Sequence, residues 1–419
     1  MPAVGAHISL FAGVGMTDLA AEAAGYKTIA TAEIDPWNRK LLQHRFPEAI
    51  HYDDVRHVRT SVAPDVGRPL MVSGGFPCQD VSAAGSGKGV EGGERSGLWA
   101  EFARIIFEFK PDVVLAENSP LLRSRGLHRV LADLYMLGYA CAWDCIPAAA
   151  VGAPHLRDRI FIVAWPDKTA LDVSLPGKYI GCATRDGIWS SHVGMVTRFP
   201  RAGRMYRGGL VQEQPALAPI KAAKKACLAH AVACPATPTG AWPTPAASIP
   251  QDGEGPETWL ARRELLKAKC SNGNGAGMPL SIAVQLFPTP RAAPNEWRTT
   301  RNAPSHGKGH GKTLAGEVND LERAAGRSPA PSSGSAGNVN PVWVEWLMGL
   351  PLGWTDLRVP NDALVAHPGW ASEPARVPRT IADPPDRKAR LRALGNGLVY
   401  QAALQALLEL NPSKELSHA

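Results

Sequence analysis

The sequence predicts a doubly wound α/β fold, and two observations support that prediction. Over the first 165 residues, short apolar segments alternate with segments whose apolar residues recur at helical spacing. Within this region, residues 111–116 form a run rich in β-branched residues, of the kind that parallel sheets bury on both faces. An open sheet of this class binds its ligand at the carboxyl ends of its strands.

The expected elements of this domain are short and follow one another closely. Strands are expected at His7–Leu10, Thr28–Glu33, Pro69–Ser73, Pro111–Ala116 and Arg159–Trp165, with a further strand ending before Asp54. Helices are expected at Thr17–Ala24, Pro36–Arg45, Ser96–Phe109 and Leu127–Leu137. From about residue 170 to 337 the pattern dissolves into a segment rich in Pro, Gly, Ala and Thr. Regularity returns at Asn340–Leu350 and at Leu391–Leu410, which is expected to be one C-terminal helix.

Length and composition narrow the class of protein. A chain of 419 residues is expected to form two or three domains. Its apolar runs are too short to span a bilayer, and the N-terminus has no secretory pattern, so membrane and secreted proteins are disfavoured. The seven cysteines are odd in number, and Cys141 and Cys145 lack the spacing of a zinc site. We expect a cytoplasmic protein with free thiols and no metal.

The positive charge is concentrated in the middle of the chain. The net charge is +7, but residues 166–340 hold 21 Lys and Arg against 12 Asp and Glu, a surplus of 9. The rest of the chain holds 24 against 26, a balance of −2. Such a distribution is typical of a segment that meets a polyanion, although a basic solvated surface would have the same composition.

A glycine turn and two acids indicate a nucleoside-bearing cofactor. Residues 11–15, Phe-Ala-Gly-Val-Gly, follow one predicted strand and open a helix, where glycines let the backbone approach a ligand. Glu33 closes the next strand and is placed to bond ribose hydroxyls, and Asp54 ends a third. The turn alone would also fit a nicotinamide dehydrogenase or a purely structural role.

A cysteine and two further polar groups are expected at the same edge of the sheet. Cys78 lies on a turn, Gly-Gly-Phe-Pro-Cys, directly after an apolar strand, which suits a nucleophile better than a packed thiol. The next strand ends at Glu117 and Asn118, and another is expected to end near the segment 151–159 that carries Arg157 and Arg159. A thiol, a carboxyl and two arginines would then converge.

The order of these motifs resembles that of the DNA cytosine-5 methyltransferases of the bacterial or phage type. The resemblance runs through Phe-x-Gly-x-Gly, Pro-Cys, Glu-Asn, an Arg-x-Arg segment and Gly-Asn, and covers about 1–165 and 338–410. It implies a Rossmann-like domain that uses S-adenosylmethionine, with a smaller, irregular target-recognition domain inserted toward the C-terminal side. The implied cofactor residues are Phe11, Gly13, Gly15, Glu33, Ile34, Asp54, Pro77, Leu98 and Asn396.

The resemblance also implies a mechanism. Cys78 would attack C6 of a flipped-out cytosine, Glu117 would bond or protonate N3, and Asn118 would help to position Glu117. Arg159 would hold the cytosine O2, and Arg157 would support the loop. The motif series departs from the family pattern at four positions. Met16 stands where a third glycine often follows, Ser119 where Val is usual, and Leu398 where Val is usual. His155 replaces the Gln of the Gln-x-Arg-x-Arg motif, which keeps a hydrogen-bonding side chain but could add pH dependence.

The implied organisation is a catalytic domain in two parts, 1–170 and 338–419, with the target-recognition domain at 171–337. The implied partner is double-stranded DNA, and we expect a monomer within a restriction-modification system. Candidate DNA contacts are Gln79, Ser82, Arg198, Arg201, Arg204 and Arg207, with Lys221, Lys224 and Lys225 as further phosphate contacts. An RNA cytosine methyltransferase and a catalytically silent DNA-binding factor remain alternatives.

Overall fold

The computed structural model describes twelve ranges of the chain, and the structural statements below refer to them. They are residues 5–60, 67–77, 97–167, 178–190, 194–206, 209–228, 242–246, 256–269, 278–286, 338–374, 376–381 and 384–411. Cys78, Gln79, Ser82 and Arg207 lie outside these ranges. No helix in the described ranges is long and apolar enough to cross a membrane.

A parallel sheet forms the first half of the structure. Its strands are β1 Gly5–Leu10, β2 Tyr26–Ala32, β3 Ile50–Tyr52, β4 Leu70–Gly75 and β5 Val113–Asn118. They lie in the order β3-β2-β1-β4-β5 and all pair in parallel. The helices between them are α1 Met16–Ala23, α2 Pro36–Arg45, α3 Leu98–Phe109 and, after β5, α4 Leu127–Met136. This strand order is that of a Rossmann-like doubly wound sheet, so the predicted fold class is confirmed.

Two antiparallel strands continue the sheet beyond β5. They are β6 Tyr139–Pro147 and β7 Asp158–Pro166, and β7 lies between β5 and β6. The sequence did not predict β6, and it placed residues 151–159 at the end of a strand, which is wrong because Asp158 begins β7. Since β7 runs against β5, its first residues lie at the edge where the parallel strands end.

Residues 178–213, for which the sequence showed no regular pattern, add five strands to the same sheet. These are β8 Lys178–Thr184, β9 Gly187–Ser190, β10 Gly194–Met195, β11 Gly203–Met205 and β12 Leu210–Glu213. They continue from β6 in the order β11-β12-β8-β9-β10. Three helices follow in the described part of the middle segment: α5 Ile220–Leu228, α6 Pro256–Lys269 and α7 Leu280–Leu286.

The C-terminal part packs back on the first domain. It contains β13 Asn338–Val339, α8 Pro341–Leu347, β14 Thr380–Ile381, α9 Arg387–Asn396 and α10 Tyr400–Leu410. The prediction of one helix over 391–410 is wrong, because α9 ends at Asn396 and Gly397 is extended. A Cβ at Gly397 would lie 2.6 Å from the sulfur of Met16 in α1. The backbone between α9 and α10 therefore packs closely against α1.

Helices cover both faces of the sheet with apolar side chains. On one face, α1, α2 and the C-terminal helices share a core that includes Trp343 and Trp346. On the other face, α3 and α4 bury Phe102 and Leu131 against the strands. The layers therefore leave the carboxyl edge of the parallel strands as the place where side chains from distant parts of the chain meet.

Candidate active site

A cavity of about 860 Å³ opens at the carboxyl edge of β1, β2, β4 and β5, and α9 closes one side of it. Its wall brings together residues that are more than 380 positions apart in the chain. Eleven of the predicted site residues line it: Phe11, Gly13, Glu33, Ile34, Asp54, Pro77, Leu98, Glu117, Asn118, Arg159 and Asn396. Among the predicted catalytic and cofactor residues that the structure describes, Gly15 and Arg157 are not part of the wall.

The two glycines of the first turn have different surroundings. Gly13 has a φ of 58°, its missing side chain would meet nothing within 4 Å, and its N–H donates to Glu33 Oε2 at 2.7 Å. Gly15 has a φ of 83°, and a Cβ there would lie 2.8 Å from the Phe46 ring. Gly13 thus keeps the backbone open toward the cavity, whereas Gly15 allows the start of α1 to approach α2.

One end of the cavity suits a purine nucleoside. Glu33 is held by two backbone donors, Gly13 N–H on one oxygen and Asp35 N–H on the other at 2.8 Å. Burial raises the pKa of the Glu33 carboxyl, and the two backbone N–H groups oppose that rise. Ile34 is 74% exposed although its side chain is large and apolar. Asp54 caps the turn that follows it by accepting a hydrogen bond from Arg56 N–H at 2.9 Å. Ribose hydroxyls require a hydrogen-bond acceptor, which Glu33 offers. Adenine requires an apolar surface and an acceptor for its amino group, which Ile34 and Asp54 offer.

The other end of the cavity holds a carboxyl beside a guanidinium. Glu117 is the residue before the end of β5, and Arg159 lies near the start of β7. Arg159 Nε is 3.0 Å from Glu117 Oε1. Burial raises the pKa of Glu117, while Arg159 and Arg157 oppose the rise. A buried carboxyl whose pKa is raised retains its proton to higher pH and can serve as a proton donor.

Asn118 connects β5 to the turn that precedes Cys78. Its Nδ2 donates to the Phe76 carbonyl at 3.1 Å, and its Oδ1 accepts from Ser119 N–H at 2.8 Å. The side chain is buried, so these bonds fix the Phe76–Pro77 backbone relative to the end of β5. Asn118 was expected to position Glu117, but its bonds in the structure are with Phe76 and Ser119.

Arg157 is a buried link between three parts of the chain. Its guanidinium donates to the carbonyls of Pro245 at 2.9 Å, Gly395 at 2.7 Å and Gly397. It therefore holds the loop before Arg159 against the turn that carries Asn396. The supporting role expected for Arg157 in catalysis stays a prediction.

The departures from the family pattern have local explanations. Met16, where the pattern has glycine, lines the cavity and accepts a bond from Leu398 N–H at 3.1 Å. Ser119 caps the short turn after β5 by accepting from Leu121 N–H at 3.4 Å. His155 is fully buried and donates from Nε2 to the Leu347 carbonyl at 3.0 Å.

The expectation that His155 adds pH dependence is wrong. Burial, with a smaller effect from the nearby Arg157, lowers the pKa of His155 to about 3. The ring is therefore neutral near pH 7 and above. His155 donates one hydrogen bond to the Leu347 carbonyl. The side-chain amide of Gln, the usual residue at this position of the family pattern, would donate the same bond.

The sequence missed two side chains that shape the cavity. Trp354 donates from Nε1 to the Val14 carbonyl at 2.7 Å and so holds the glycine turn from behind. Arg392 lines the cavity and donates to Asp35 Oδ2 at 2.8 Å. Only Arg392 carried a usable signal, since it precedes Asn396 by four residues and both therefore lie on one face of a helix.

The residues predicted to contact DNA differ in whether their side chains are exposed or already interact with other groups of the protein. Arg198 is exposed, as are Lys221, Lys224 and Lys225 on α5. Arg201 pairs with Asp158 at 2.8 Å, and Arg204 lies over the rings of Trp165 and Tyr206. Arg201 and Arg204 thus have partners within the protein. Among the described residues, no group of three His, Cys, Asp or Glu could hold a metal ion.

Comparison with known proteins finds a similar family over the first part of the chain. Residues 5–179 match the family model of C-5 cytosine-specific DNA methylases. The chain is 32% identical over 165 residues to the Type II methyltransferase M2.BsuMI of Bacillus subtilis, which covers 38% of this chain and 41% of that protein. It is 36% identical over 160 residues to M.CviJI of Paramecium bursaria Chlorella virus IL3A, with 38% and 42% covered.

The solved structure of a Spodoptera frugiperda DNMT2 mutant matches along 96% of this chain and 98% of its own, with 13% identity and a TM-score of 0.45. The matched region spans less than half the length of either curated relative. Residues 5–179 therefore match the family of C-5 cytosine-specific DNA methylases, and the curated relatives support that similarity.

Proposed function

We propose that this protein transfers a methyl group from S-adenosylmethionine to C5 of cytosine in a specific sequence of double-stranded DNA. One observation carries the proposal. A single cavity joins an end that suits adenosine, at Glu33, Ile34 and Asp54, to an end that holds Glu117 beside Arg159. Pro77 lies in the same wall, and Cys78 is the next residue in the chain.

The cavity fits the proposed cofactor by its size and its donor set. Its volume of about 860 Å³ is within the usual range of ligand pockets and leaves room for a pyrimidine beside a nucleoside. Glu33, Ile34 and Asp54 would bind the ribose and the adenine, and Leu98 and Asn396 would enclose the rest. When bound, the cofactor supplies an electrophilic methyl group on a sulfonium.

The chemistry of cytosine requires the groups at the other end. C5 is a poor nucleophile until the Cys78 thiolate adds to C6, which places the electron pair on C5. Glu117 would bond or protonate N3 as that charge develops, and Arg159 would hold O2. After methylation, loss of the proton from C5 expels the thiolate and restores the ring. The base must leave the duplex to reach the cavity.

The middle segment would read the DNA. Residues 171–337 contain most of the positive excess, and Arg198 and Lys221 are exposed within their described part. Phosphate contacts by such residues would place the duplex so that a cytosine enters the cavity. The catalytic domain would comprise residues 1–170 and 338–419.

A covalent trap tests the mechanism. Mixed-sequence duplex DNA that contains 5-fluorocytosine is incubated with the protein and S-adenosylmethionine, and adducts that survive denaturation are measured. We expect an adduct with the wild type and none with Cys78→Ser, while S-adenosylhomocysteine binds both. Cys182→Ser is the matched control, because Cys182 is exposed on β8, outside the cavity wall. An adduct with Cys78→Ser, or none with the wild type, would refute the mechanism.

A further inference from the structure

Arg201, which was expected to contact DNA, holds the first residue of β7. Its Nη1 donates to Asp158 Oδ2 at 2.8 Å, and its Nη2 donates to Asp158 Oδ1 at 3.3 Å. The same Nη2 donates to the Cys145 carbonyl on β6. A guanidinium and a carboxylate that meet through two parallel hydrogen bonds fix each other's orientation. Arg201 therefore ties the last part of β6 to the start of β7.

The backbone of Arg201 is fixed at the same place. Its carbonyl accepts from Cys145 N–H at 3.2 Å, just before β11 begins to pair with β6. The side chains of Arg201 and Asp158 are only 23% and 18% exposed, so water has limited access to the ion pair. Such a pair holds its geometry better than a fully exposed one, which water and salt weaken.

Asp158 connects this ion pair to Arg159. The two residues are neighbours at the start of β7, where successive side chains point to opposite faces of the sheet. Arg159 Nη1 donates to the Asp158 carbonyl at 2.9 Å, while Arg159 Nε lies 3.0 Å from Glu117 Oε1. Asp158 is therefore held by Arg201 through its carboxylate and holds Arg159 through its carbonyl. Arg201 itself is not part of the cavity wall.

We propose that Arg201 is a positioning residue for methyl transfer, which acts by fixing Asp158 and hence the guanidinium of Arg159. The inference rests on the proposed function, in which Arg159 holds the cytosine O2 beside Glu117. Without Arg201, the Asp158 carboxylate would lose its partner, and the strand end that directs Arg159 would be free to shift. A misplacement of about 1 Å at a reacting group slows a reaction by about 100-fold, and a smaller shift slows it less.

A double-mutant cycle in single turnover tests the proposal. The variants are Arg201→Gln, Asp158→Asn and the double variant, with labelled S-adenosylmethionine and mixed-sequence duplex DNA at saturating concentration. We expect each single variant to transfer methyl groups at least tenfold more slowly than the wild type. The double variant should be within threefold of the slower single variant, because both changes break one interaction. The affinity for S-adenosylhomocysteine should stay within twofold of the wild type, as should the DNA concentration for half-maximal rate.

Arg185→Gln is the matched control, because Arg185 is exposed on the turn between β8 and β9 and its loss removes the same charge. It should transfer methyl groups within twofold of the wild-type rate. If Arg201 contacted a phosphate, Arg201→Gln would instead weaken DNA binding and its dependence on salt, and Asp158→Asn would not slow transfer.

That result, independent effects of the two changes in the double variant, or a parallel loss of S-adenosylhomocysteine binding would each overturn the inference. A wild type that transfers no methyl group to DNA would instead refute the proposed function, and the inference with it.

Discussion

Gly75 is the position where one added methyl group most directly disturbs the reacting end of the cavity. It ends β4 and pairs in register with Glu117 on β5. A Cβ at Gly75 would lie 2.6 Å from Glu117 Oε2, and ordinary contact begins at 3.4 Å. The carboxyl must therefore move by about 0.8 Å, which disturbs its 3.0 Å contact with Arg159.

Gly75→Ala is therefore expected to slow methyl transfer by about 100-fold, the usual effect of a misplacement near 1 Å at a reacting group. The rate is measured in single turnover with labelled S-adenosylmethionine and mixed-sequence DNA. Affinity for S-adenosylhomocysteine and the thermal midpoint should remain close to the wild type, since the displaced group faces the cavity rather than the core.

Gly67→Ala is the matched control, because the nearest atom to its new Cβ is Ala6 Cβ at 3.8 Å. It should transfer methyl groups at the wild-type rate. If Gly75→Ala retained a rate within threefold of the wild type, the carboxyl of Glu117 would not have the role proposed for it. A parallel loss of folding or cofactor binding would also contradict this reasoning.

Three further substitutions test other parts of the account. His155→Gln should leave the pH–rate profile between pH 6 and 9 unchanged within twofold, because the pKa of His155 is already about 3; a shifted profile would contradict this. Burial raises the pKa of Asp18 to about 7, so the stability that its neutral form contributes is complete below about pH 4 and lost as the pH rises to 7. Asp18→Asn should therefore raise the free energy of unfolding at pH 8 by a few kcal/mol, since one pKa unit corresponds to about 1.4 kcal/mol. In urea titrations at pH 5, the difference in that free energy from the wild type should be smaller. Arg157→Lys should lower that free energy by about 1.5–3 kcal/mol, because an ammonium cannot span the three carbonyls that Arg157 bonds, whereas Arg198→Lys should have no measurable effect.

The sequence predicted the parts of the site that follow from strand order. Glu33 and Glu117 come at or just after strand ends, and parallel strands bring their ends to one edge of a sheet. Cofactor-side residues such as Ile34 and Asn396 came from the family resemblance, and the structure places both in the same wall. Neither kind of inference needed knowledge of how distant side chains pack.

Orientation and long-range contact were beyond the sequence. The spacing of the two glycines in the motif does not reveal that Gly15 faces Phe46 while Gly13 faces the cavity. Trp354 holds the Val14 carbonyl across 340 positions of the chain, and no local pattern marks such a bond. Arg157 likewise bonds carbonyls, which every residue has, so its partners leave no trace in the sequence.

Some elements were missed because their composition is atypical. The strand Tyr139–Pro147 is buried on both faces but includes Asp144 and two cysteines among small residues, so it lacks the β-branched run of a central strand. The strands between 178 and 213 are two to seven residues long, too short for alternation to be recognised. Tertiary pairing, rather than local preference, gives them their form: β11 pairs with β6, and the other four strands pair in turn beyond β11.

Sequencing of DNA from cells that express the protein tests the central claim most directly. Bisulfite or nanopore reads should show 5-methylcytosine at one recurring sequence in cells with the wild type and at background level in cells with Cys78→Ser. Unmodified cytosine with the wild type, or equal modification with Cys78→Ser, would contradict the account.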